Sequence, residues 1–177
     1  MSGRLGRLGA RWKHYCLGKL PFGDQRDIGA GYTMAAAALL AITVAVPSAR
    51  LLDVLFGPHS IWAMGFVGVL GLPLVVPSAF VAGSITWRYL LSTFRCSGVG
   101  AGVVATGLTY VFATTIAAMV LMIEFFWTNP ETMPTDLLFV FVYLWFVVGN
   151  IALGVMAWIA VPVGALSGAI YERGYSI

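Results

Sequence analysis

Charge is what this chain has least of. Ten Lys and Arg and seven Asp and Glu make up 10% of its 177 residues, where a soluble domain carries about a quarter. Hydrophobic residues reach 60%, which argues against a solvated surface around a buried core. Histidine and cysteine are as sparse, at two each. Four well-spaced Cys or His ligands are therefore absent, so neither a metal site nor a cofactor is expected. His14 and His59 fall on opposite sides of the membrane in the topology read below, which argues against a haem held between them. His14 and Cys16 lie two apart, and such residues do not face each other on a helix, so they make no base–nucleophile pair. Gly98, Gly100 and Gly102 open an apolar run and lack the preceding strand that a phosphate-cradling fingerprint needs. No acidic pair shares an apolar run. These shortages point away from an enzyme and away from a nucleic-acid partner.

What the chain does have is four long stretches free of Asp, Glu, Lys and Arg, at 28–49, 61–87, 97–123 and 137–171. Each is at least as long as the roughly 20 residues that a helix needs to cross a bilayer. Hydrocarbon offers no water to backbone N–H and C=O groups, so spanning segments are helices or a closed barrel, and these runs lack the period-2 alternation of barrel strands. The expected fold is an all-α integral membrane protein: a four-transmembrane-helix bundle over 28–177, preceded by a basic segment at 1–27.

Orientation follows from the basic residues, which accumulate on the cytoplasmic side. Arg4, Arg7, Arg11, Lys13, Lys19 and Arg26 precede span 1, Arg88 and Arg95 join spans 2 and 3, and Arg173 follows span 4. The opposite loops hold Arg50 with Asp53, His59, Glu131 and Asp136. Both termini are thus expected on the cytoplasmic side of a cell membrane, or on the matrix side of an organelle inner membrane. Cys16 and Cys96 share that side, where thiols stay reduced, so no disulfide is expected.

In the basic segment Leu5, Leu8, Trp12 and Tyr15 recur at helical spacing beside Arg4, Arg7, Arg11 and His14. A helix so patterned lies on a membrane, each basic residue near anionic headgroups contributing about 1 kcal/mol. Gly3, Gly6, Gly9 and Gly18 oppose a stiff helix, which leaves a flexible, topology-setting tail as the competing reading. Freedom from acids over residues 1–23 also fits an organelle presequence, although serine is scarce, and Val46-Pro47-Ser48-Ala49 offers a weak secretory cleavage site.

Residues 76–88 align without gaps to 161–173, with five identities including Pro77 with Pro162 and Arg88 with Arg173. A tandem two-hairpin repeat would produce such an echo, with the halves related about the membrane normal. Small residues four apart mark packing faces: Ala79 with Gly83, Gly98 with Gly102, and Ala160 with Gly164 and Gly168. Spans 2 and 4 are on this basis expected at the centre. Pro73, Pro77 and Pro162 each remove a helical donor and are expected to kink their spans. Span 4 exceeds a hydrocarbon core of about 30 Å, so it must tilt, protrude or break, with Gly149-Asn150 and Pro162 as break points.

Polar groups at membrane depth are the usual pointers to function. Glu124 stands beside the aromatic belt of Phe125, Phe126 and Trp127 and is expected to snorkel outward. Asn150 is placed to hydrogen-bond to Thr106, Tyr110 or Thr114, which share one face of span 3. As interhelical glue, these groups fit a non-catalytic accessory or assembly subunit of a larger membrane complex, with the bilayer and other subunits or further copies as partners. As a polar path, they fit a small oligomeric transporter or channel.

Overall fold

Within hydrocarbon a backbone must satisfy its own hydrogen bonds, and the fold follows that demand. The computed structural model describes residues 2–56, 71–90, 97–128 and 137–175, and every regular element among them is helical. Helix α1 spans Ser2–Tyr15 and leads through a 3-10 turn at Leu17–Lys19 to α2, Arg26–Phe56. Helix α3, Leu72–Ile85, is prolonged by a π-helical turn at Thr86–Leu90 and is followed by α4, Gly98–Thr128, and α5, Leu137–Tyr175. Three stretches are long and apolar enough to cross a membrane: Arg26–Pro47 of α2, Gly98–Thr128, which is all of α4, and Leu137–Gly154 of α5. The first part of the second apolar run, 61–70, lies outside the described residues, as do His59, Arg95, Cys96, Glu131 and Asp136.

The helices run differently from the sequence expectation at several points. Helix α2 continues beyond position 49 to Phe56, so the backbone at Arg50 and Asp53 is helical rather than looped. Pro73 makes no mid-helix kink, because it stands in the first turn of α3, behind Gly71 at the cap. An N–H there has no intrahelical acceptor in any case. Pro77 and Pro162 lie inside helices that run on past them. Helix α5 breaks neither at Gly149-Asn150 nor at Pro162: its 39 residues form one helix, about 58 Å long at 1.5 Å per residue. Across a membrane a helix that long would have to tilt or protrude. The glycines of α1 do not prevent a helix, which is supported by packing against α5.

Helices α2, α3, α4 and α5 contact one another in that order, and α5 closes the ring onto α2. The α4–α5 interface is the most extensive. Helices α3 and α5, from the two runs expected at the centre, are instead diagonal and meet through Trp87 and Tyr171, whose rings stand edge to face at 5.5 Å. Their small-residue stripes serve different neighbours. A Cβ at Gly83 of α3 would lie 2.9 Å from Met34 Cβ of α2, and one at Gly98 of α4 would lie 2.6 Å from the Gly168 carbonyl oxygen of α5. These contacts place the starts of α2 and α4 and the ends of α3 and α5 at one end of the bundle.

Helix α1 and the turn after it are bound to that same end. Trp12 Nε1 donates to Thr33 Oγ1 at 3.1 Å, and Thr33 donates in turn to the Gly29 carbonyl at 2.9 Å. The Lys13 ammonium sits 4.0 Å above the Tyr175 ring, and Leu17 is wholly buried. Tyr171 donates to the Arg26 carbonyl at 2.6 Å and Tyr175 to that of Asp24 at 3.2 Å. Arg7, Arg11 and His14 face outward with Leu8 and Tyr15.

Burial by size is inverted relative to a soluble core. The buried apolar residues are mostly alanines, among them Ala30, Ala41, Ala79, Ala82, Ala101, Ala105 and Ala118. Large side chains such as Leu40, Ile123, Leu138, Phe146 and Trp158 are exposed. In water so much exposed apolar surface would drive association. In lipid it costs nothing, and close helix approach through small residues becomes the main source of contact energy.

Candidate functional site

The polar face of α4 is built on its tightest contact. Gly102 is buried against Gly164 and Ala165 of α5, and Thr106 stands over Gly164. One turn apart along the same interface, Gly168 abuts Gly98 and Gly102, a Cβ at Gly168 lying 2.9 Å from Gly102 Cα. Ala79 is buried on α3, whereas Ala160 turns toward α2 and packs on Ala41, Ala45 and Ile159.

The buried α4 hydroxyls take the nearest acceptor. Thr106 donates to the Gly102 carbonyl at 2.8 Å, Thr109 to Ala105 at 2.8 Å and Thr114 to Tyr110 at 2.6 Å. A threonine in a helix can always reach the carbonyl one turn back, and in an apolar setting that bond outcompetes more distant partners. Thr106 and Thr114 therefore spend their protons inside their own helix. The Tyr110 hydroxyl is buried without a hydrogen-bond partner.

Asn150 does not join these groups. Its side chain is exposed, and its Nδ2 donates to the Phe146 carbonyl of α5 itself at 2.8 Å. The neighbouring Gly149 faces α4, a Cβ there lying 3.9 Å from Thr114 Cγ2, and one residue further turns the helix by about 100°. The side-chain bond that does link α5 to α4 at this level runs from Trp145 Nε1 to Thr115 Oγ1, at 3.1 Å. Sequence reasoning missed that pair. Its available signal was an indole N–H inside an apolar run, which demands a partner. The partner of Trp12 was missed in the same way. Thr86 Oγ1 and Trp87 Nε1 are buried without partners at the π-helical turn; the Trp87 indole carried the same signal, whereas nothing in the sequence marked Thr86.

Glu124 is exposed in the last turns of α4 and borders an open groove of about 480 Å³. Leu121, Phe125 and Thr128 of α4 and Phe139 and Tyr143 of α5 form the walls around it. Tyr143 precedes Asn150 by seven residues, about 10 Å along the axis, so the acid and the amide stand at different levels. A groove with apolar walls and one carboxylate can seat a hydrocarbon chain with a cationic or hydrogen-bonding head. It cannot supply paired carboxylates for acid–base chemistry. No group of three or more His, Cys, Asp or Glu side chains gathers among the described residues. No family model, curated protein or solved structure matches this chain.

Proposed function

We propose that this is a four-span membrane protein, both termini on the cytoplasmic or matrix side, acting as a non-catalytic accessory or assembly subunit of a larger membrane complex. The reading rests on one observation above others: the buried threonines of α4 donate to their own backbone, and Thr106 does so inside a glycine-tight contact with α5. Such a face holds helices together and leaves no continuous route for a solute. The outward display of large apolar side chains supplies the surface that partner helices would cover. The second apolar run provides the fourth span, with α3 as its latter part, and the clustering of Arg and Lys around α1 supports the assigned sidedness.

Purification of the tagged protein in mild detergent at native expression, followed by mass spectrometry, tests the proposal. Stoichiometric recovery of larger membrane subunits is expected. A homogeneous preparation without partners overturns it. One feature favours a second reading, a small oligomeric transporter: Glu124 borders a groove that is open to the surroundings. On that reading Glu124→Gln abolishes flux in proteoliposomes, whereas the accessory reading expects no flux to abolish.

A further inference from the structure

Asn150 occupies a costly position. It lies about 20 Å along α5 from Leu137 at 1.5 Å per residue, inside the stretch Leu137–Gly154 of which no residue is buried. A carboxamide offers two N–H donors and an acceptor oxygen. The bond to the Phe146 carbonyl uses one donor, and the side chain is exposed, so the second donor and the oxygen remain for a partner outside the chain. Helical periodicity places Phe146, Gly154 and Ala157 on the same side of α5 as Asn150, with Phe146 and Gly154 exposed and Ala157 half-buried. Gly154 lies one turn from Asn150, and a Cβ built there would meet nothing within 4 Å. The face thus combines an unsatisfied amide with small residues that let another helix come close.

We propose that this face of α5 binds a second copy of the chain, with Asn150 paired to Asn150 across a two-fold axis along the membrane normal. The amide identifies the partner, because it is both donor and acceptor: a two-fold axis sets each Nδ2–H against the other Oδ1, which an isologous interface requires. Gly154 and Ala157 give both helices the same shallow groove, and Phe146 packs beside its counterpart. Hydrogen bonds between membrane helices and close small-residue contact are the forces that associate helices in lipid. The inference is independent of the accessory-subunit reading. Failure to recover partners leaves the dimer intact, and loss of the dimer leaves partner recovery unchanged.

The test uses the full chain labelled with donor or acceptor fluorophores at a C-terminal tag and reconstituted in phosphatidylcholine vesicles, with energy transfer followed as lipid is added. Wild type should transfer energy. Asn150→Leu should weaken association about tenfold, the size expected for interhelical polar contacts, while Asn150→Gln should retain it. Gly154→Leu should likewise weaken transfer, and both sites are exposed, so neither change meets a packed neighbour. In a Cys16→Ser, Cys96→Ser background, Gly154→Cys should cross-link into a dimer in native membranes, and Ile151→Cys, on a different face at similar depth, should not. Absence of transfer in wild type, transfer unaltered by Asn150→Leu, or cross-linking through Ile151→Cys instead would overturn the proposal.

Discussion

The two halves of α5 both belong to one apolar run, free of charge from 137 to 171, and yet are used in opposite ways. From Leu137 to Gly154 no residue is buried, although Phe, Tyr, Trp, Leu and Val crowd the stretch. Toward Tyr175 the helix narrows to Gly164, Gly168 and Gly174, all buried, and α4 comes near enough that side chains would collide with backbone. The difference teaches that hydrophobicity does not decide burial in this protein. Lipid solvates a leucine as well as another leucine does, so what decides is how closely two backbones can approach.

The sharpest way to break this comparison is to remove the approach. Gly102→Leu should drive a branched side chain into the Gly164 backbone and cost about 3 kcal/mol, read from the midpoint of unfolding in mixed SDS micelles. An unchanged midpoint would mean that the glycine contact is not a principal source of stability. A middle-sized effect is expected where a polar bond, rather than close packing, fixes an element. Thr33→Val leaves the Trp12 indole N–H without its acceptor and should cost about 1 kcal/mol, visible as faster tryptic cleavage after Lys13 as α1 loosens. The smallest effect sharpens the comparison from the other side. Gly107 of α4 is exposed, with no atom within 4 Å of an added Cβ, so Gly107→Leu should shift stability by less than about 0.5 kcal/mol. A large loss there would show that glycine matters in these helices for reasons other than contact.

The helical character of the chain, with stretches long and apolar enough to cross a membrane, was legible because charge is so scarce that its few positions outline the apolar runs. Helix ends were less legible. Arg50 and Asp53 read as loop residues, yet a helix need not end where an apolar run ends, and α2 continues through both. Pro73 read as a kink because its meaning depends on where the helix begins, which no residue near it announces. The spacing of Gly98, Gly102, Gly164 and Gly168 could be seen in the sequence, but which stripe meets which could not, since small faces look alike. For this reason the diagonal relation of α3 and α5 was hidden. The direction of Asn150 was hidden as well: when every side of a helix is apolar, hydropathy carries no information on which side faces inward.

The bond from the Tyr171 hydroxyl to the Arg26 carbonyl joins residues 145 positions apart. During synthesis this closure must wait until α5 has left the ribosome, long after α1 and α2 have been made. Until then the start of α2 lacks the Tyr171 ring that ties it to α5, and α1 lacks the helix on which it rests. The end of the bundle that is begun first is therefore completed last, and a nascent chain halted before Tyr171 would present a loose first helix to the proteases that inspect unfinished membrane proteins.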